Sequence, residues 1–119
     1  MAYVDGFLLA VPRRKLAEYR RIARVAGKIW MEFGALDYRE CVGDDVRRKS
    51  AAPFGKAIRL KPGEAVVFSW IVYKSKGQRN RINAKIMKDP RITAMMDSSQ
   101  KVVDMKRMAY GGFKSIVSF

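Results

Sequence analysis

Three charged side chains sit in segments that otherwise read as strands, and they are where chemistry would begin. Asp5 interrupts the apolar run YVDGFLLAVP, Glu40 stands in ALDYRECV, and Arg107 stands beside Lys106 in a final strand read over Lys106 to Phe113. A carboxylate turned inward on a strand needs a cation or hydrogen-bond donors, or its proton affinity shifts. Glu40 could therefore act as an acid or base, and Asp5 could anchor a polar ligand group. Arg107 could hold an anionic substrate through a bidentate contact, or pair with Asp5 or Glu40 inside the fold. Tyr38, Trp70, Tyr73 and Tyr110 add aromatic area with polar tips, the usual lining of a small-molecule pocket and equally of a core. The candidate ligand site is thus Asp5, Tyr38, Glu40, Trp70, Tyr73, Arg107 and Tyr110. No catalytic set stands out among them.

Other residues exclude chemistry. The single cysteine, Cys41, has no histidine anywhere in the chain to activate it, and strand alternation turns it away from Glu40. With one cysteine and no histidine, a zinc or iron centre would need carboxylates alone, so no metal and no cofactor is expected. Gly43-Asp44-Asp45 lacks the remaining ligands of a calcium loop and reads as a turn. Gly111-Gly112 has no phosphate-loop context and reads as backbone geometry. The net charge of +14 favours polyanions. An alternative nucleic-acid surface would use Arg13, Arg14 and Lys15, Arg20 and Arg21, and Arg47, Arg48 and Lys49. These clusters are also what a solvated basic surface looks like.

The elements that must position these residues follow from periodicity. Tyr3 to Val11 alternates as a strand that Pro12 ends. From Arg13 to Phe33, Leu16, Tyr19, Ile22, Ala23, Ala26, Ile29, Trp30 and Phe33 recur at helical spacing, with Gly34 as the stop and Gly27 allowing close packing. Ala35 to Val42 is a second strand. Lys56 to Leu60 reads as a short edge strand, and Val66 to Tyr73 as a long strand with apolar residues on both faces. A helix covers about Ser75 to Lys88, Asp89-Pro90 marks a boundary, and Arg91 to Gln100 holds a further helical turn. The order β-α-β-β-α-β predicts an α+β, ferredoxin-like sheet in a single domain, 1–119, with helices on one face. No apolar stretch approaches the ~20 residues of a membrane span, and nothing directs the chain out of the cytoplasm.

YVDGFLLAVP, ECVGDDV, EAVVFSWIVYKSK, KDPR and DMKRMAYGGF, taken in this order along nearly the whole chain, resemble domain-of-unknown-function family 1428. That family is similar to the dimeric α/β-barrel, ferredoxin-like superfamily. The resemblance implies a homodimer with two sheets face to face, which would cover the second apolar face of the long strand. It supplies no catalytic residues. Val103, Asp104 and Met105 stand where the family commonly has phenylalanine, aspartate and glycine before the lysine-arginine pair. Three functions are therefore expected: a small organic-ligand pocket in a homodimer, a nucleic-acid or other polyanion surface, or a cofactor-independent monooxygenase-like enzyme.

Overall fold

The computed structural model describes residues 1–47 and 49–119; Arg48, in the third basic cluster, lies outside the described residues. Four strands, β1 (Tyr3–Pro12), β2 (Asp37–Val42), β3 (Glu64–Tyr73) and β4 (Ala109–Lys114), form one antiparallel sheet in the order β2-β3-β1-β4. Three helices, α1 (Leu16–Glu32), α2 (Lys76–Ile86) and α3 (Pro90–Gln100), flank it. The register places Glu40 opposite Ser69, Ser69 opposite Phe7 and Phe7 opposite Tyr110, one row across the sheet. The neighbouring row runs Tyr38, Ile71, Asp5, Gly112. Alternation puts both rows on the helix-covered face.

Local chemistry explains the helix ends. Gly34 takes φ +111°, its N–H donates to Met31 O, and the Ala35 N–H donates to Trp30 O. This is the Schellman pattern, which turns the chain from α1 into β2. Ser75 caps α2 by accepting from the Gln78 N–H. Asp89 caps α3 by accepting from the Arg91 N–H, with Pro90 at the position where a missing donor costs least. The further helical turn expected over Arg91 to Gln100 is thus a full helix, and its Ile92 joins Ile29, Ile71, Tyr73, Ile82 and Ile86 in the core.

The expected dimeric α/β barrel is corrected by the sheet itself, which is open, with β2 and β4 at its edges. The expected homodimer depends on the second face of β3 needing a partner sheet. Part of that face is covered from within the chain. Ala10 and Val66 pack under Ile58, with Leu8, Val46, Leu60 and Ala109 around them. The segment expected as an edge strand, Lys56 to Leu60, is instead spanned by a 3-10 turn over Phe54–Ile58, because Gly55 lets Leu60 fold back and donate to its carbonyl. Beyond this cover the face stays open, with Phe68 43% and Phe113 61% exposed.

Arg107 is also corrected. The Asp104 side chain accepts from the Lys106 N–H and starts a 3-10 turn, so β4 begins only at Ala109 and Arg107 is not on a strand. Its guanidinium grips Glu64 with two bonds of 2.8 and 2.6 Å and donates to Asp104 at 2.9 Å. Neither Asp5 nor Glu40 is its partner. These bonds, with the Lys61 N–H, hold the Glu64 carboxyl down at about 2 from an ordinary 4.5. A depressed carboxylate adds stability that is complete above its unfolded value and disappears as pH falls through the folded one. Urea unfolding should therefore lose stability between about pH 4.5 and pH 2. Arg107→Gln should lower stability at neutral pH and flatten that acid limb. An acid limb of unchanged steepness in the variant would refute the assignment.

Candidate active site

Between the helix-covered face of the sheet and helices α1 and α3 lies a cavity of about 230 Å³. Its walls are mostly carbon: Phe7 and Leu9 from β1, Ile22, Ala26 and Trp30 from α1, and Ile92, Met95 and Met96 from α3. An engineered cavity of about 150 Å³ takes a benzene ring, and pockets for drug-sized ligands start near ~300 Å³. The space therefore suits one or two fused rings.

Glu40 is the only carboxylate in this wall. Tyr19 donates to its Oε1 at 2.6 Å and Tyr38 to its Oε2 at 2.7 Å. Tyr38 and Glu40 are two apart on β2 and so share a face, while Tyr19 reaches down from α1. Both phenols are driven well above the ordinary tyrosine range, first by burial and then by the adjacent Glu40 charge. They remain proton donors over the whole physiological range. Ser69, buried beside Glu40 in the register, and Ser99 add the other small polar groups of the wall.

A second cavity of about 260 Å³ adjoins the first and is more polar in its groups, with Asp5, Tyr73, Asn83 and Tyr110 in its lining. Phe7, Trp30 and Ile71 line both cavities and so divide them. Asp5 is only 1% exposed, with Arg79 Nη1 at 3.5 Å from its Oδ1. Burial raises the Asp5 pKa; the Arg79 charge and the Tyr110, Tyr73 and Asn83 side chains oppose that rise. Arg79 also donates to the Tyr110 and Tyr3 hydroxyls and stacks over the Tyr3 ring. Trp30 Nε1 donates to the Tyr73 hydroxyl at 3.0 Å, which fixes the dividing indole.

The seven candidate residues are thus distributed over three places. Tyr38 and Glu40 line the first cavity; Asp5, Tyr73 and Tyr110 line the second; Arg107 lines neither. Trp70 borders the first cavity, yet alternation puts its indole on the opposite face, where it donates to Asp37 and packs 5.3 Å from Phe68. Cys41 is exposed, on the face opposite Glu40. The basic clusters fall on separate elements: Arg13, Arg14 and Lys15 in the 3-10 turn before α1, Arg20 and Arg21 on α1, and Arg47 and Lys49 in the loop after β2. Among the described residues no group of three or more acidic or cysteine side chains is placed to hold a metal ion, and no helix is long and apolar enough to cross a membrane.

Sequence reasoning missed Tyr19, Arg79 and Asn83 as site residues. Tyr19 was legible only as part of the apolar stripe of α1. Arg79 and Asn83 share the inward stripe of α2 with Ile82 and Ile86, and polar residues at those spacings were the available signal.

The chain belongs to the DUF1428 family, proteins of unknown function. The family match spans residues 2–105. The chain is 45% identical over 117 residues to the uncharacterized protein YbaA of Escherichia coli K12, covering 98% of each chain, and matches the Shigella flexneri protein of that name equally. Among solved structures, this DUF1428 chain shares its fold with a NIPSNAP family protein from Agrobacterium tumefaciens, with TM-score 0.65 and 17% identity over 96% of this chain and 92% of that one. A putative antibiotic biosynthesis monooxygenase from Nitrosomonas europaea superposes with TM-score 0.63 and 10% identity, over 97% and 90%. SnoaB, a cofactor-independent oxygenase from Streptomyces nogalater, gives TM-score 0.61 and 12% identity, over 98% and 95%.

Gly27 is what lets Tyr38 lie beneath α1: a Cβ there would fall 2.8 and 2.9 Å from two carbons of the Tyr38 ring. Gly27→Ala should therefore cost about 1–3 kcal/mol despite the better helix propensity of alanine. Tyr38→Phe, which keeps the ring and loses one hydrogen bond, should cost about 1 kcal/mol. Thermal unfolding of both variants tests this, and a Gly27→Ala protein as stable as the wild type would contradict the packing.

Proposed function

We propose that this DUF1428 chain is a cofactor-independent oxygenase of small, electron-rich aromatic compounds. One observation carries the reading: a ring-sized, largely apolar cavity with a single carboxylate in its wall, clamped by two phenols that stay protonated. The fold shared with SnoaB and with the monooxygenase-like protein of Nitrosomonas europaea supports it.

A phenolic substrate that enters the cavity displaces one tyrosine hydroxyl from Glu40. Its O–H proton passes to the carboxylate, and the displaced tyrosine donates to the developing phenolate oxygen, where charge appears. With 1-naphthol as the example, the phenolate carries electron density at the para carbon. Dioxygen accepts those electrons, a C–O bond forms there, and Glu40 returns its proton to the distal oxygen. Loss of the para C–H proton with breakage of the O–O bond releases water and leaves 1,4-naphthoquinone. One oxygen atom enters the product and the other leaves as water. The apolar walls keep bulk water from the phenolate, which strengthens each hydrogen bond to it.

Oxygen uptake with one- and two-ring phenols, corrected for autoxidation, tests the proposal. Uptake should match quinone formation one to one, with a single labelled oxygen incorporated from isotopic dioxygen. Glu40→Gln should reduce the rate by about 10²–10⁴-fold, with smaller losses in Tyr19→Phe and Tyr38→Phe. Rates in Glu40→Gln equal to wild type, or no turnover above autoxidation across the panel, would count decisively against it.

A further inference from the structure

On the outer side of Glu40 a wide groove of about 880 Å³ runs between α1 and the edge strand β2. Tyr19, Ala23, Tyr38 and Glu40 line both this groove and the inner cavity, so they form the wall between the two. The apolar groups of the groove are Leu16, Ala17, Met31, Val42 and Val67. Arg20, Arg24 and Lys28 stand along it at successive four-residue steps of α1, about 12 Å from first to last. All three are exposed, and among the described residues none has an ion-pair or hydrogen-bond partner, in contrast to Arg79, Arg91 and Arg107, whose charges are matched by carboxylates.

From this arrangement we propose that the groove is an anion-selecting vestibule, and that the ligands of the inner cavity are aromatic compounds carrying a carboxylate or a comparable anionic group. The proposal rests on the oxygenase reading only for which ring is turned over; the binding preference stands apart from it. Three cations with no counter-ion among the described residues supply, on one rim, the attraction for a negative group. The sole carboxylate of the groove, Glu40, lies in the dividing wall with both oxygens already bonded, so like-charge repulsion keeps an anionic end away from it. The two effects orient a ligand in one sense: the anion outward among Arg20, Arg24 and Lys28, the ring inward toward Tyr19 and Tyr38. Arg21, adjacent in sequence to Arg20, is not part of the groove. The vestibule is therefore a property of one stripe of α1 and not of the net charge.

Equilibrium dialysis without oxygen tests this with two probes that share a ring system, 1-hydroxy-2-naphthoate and 1-naphthol. At about 0.05 M salt the carboxylate should bind about tenfold more tightly, and about 0.5 M salt should shrink that preference to a few-fold. Arg20→Gln/Arg24→Gln/Lys28→Gln should bring the ratio close to one while leaving 1-naphthol affinity in place. The control Arg13→Gln/Arg14→Gln/Arg21→Gln, with the same loss of charge, should keep the preference. A wild-type ratio near one, equal losses in the two triple variants, or no binding of either probe would overturn the proposal. Absent oxygen uptake with an intact preference would refute the oxygenase and keep the vestibule; uptake without preference would do the reverse.

Discussion

A carboxylate beneath a helix must have both oxygens hydrogen-bonded, or its charge becomes too costly to keep there. Glu40 meets that condition through Tyr38 on its own strand and Tyr19 on α1. Much of the local architecture follows from it. The helix must approach β2 closely enough for Tyr19 to reach across, and the Tyr38 ring must fit in the same layer. Gly27 supplies that room, and the Schellman turn at Gly34 brings the chain back in the register that sets Glu40 opposite Ser69.

On the other side of Phe7, Trp30 and Ile71 the requirement is not met by hydrogen bonds alone, because Asp5 Oδ1 has no hydrogen-bond partner among the described residues and only faces Arg79 Nη1 at 3.5 Å. There Asp5 relies on a cation, Arg79, together with a ring of hydroxyl and amide groups. One carboxylate is surrounded by neutral donors and the other stands beside a guanidinium. In the second the charge is matched by the protein's own cation. The chemistry of the two cavities is separated by that contrast more than by their dimensions.

Much of the frame was legible in the sequence, because alternation and helical spacing are local. The β1 and β3 strands, the long α1 stripe, its glycine stop, and the opposition of Cys41 and Glu40 all follow from periods of two and 3.6. Partnerships across the chain were not legible. Arg107 finds Glu64, forty-three residues away, because Asp104 nucleates a turn in place of the first residues of a strand. Arg79 and Asn83 blur the amphipathic pattern of α2, since the inward stripe itself carries polar groups. The second face of β3 misled for a related reason: its carbon called for cover, and periodicity could not reveal that the Phe54–Ile58 turn would return to provide part of it.

The partition between the cavities has one more consequence. Trp30 is a wall of the apolar chamber, yet its orientation is fixed from the polar one, by the Tyr73 hydroxyl that also donates to Asn83 on α2. The bore of the apolar chamber is thus governed by a latch mounted outside it. That bore can drift through changes at Tyr73 or Asn83 while every residue lining the chamber stays the same.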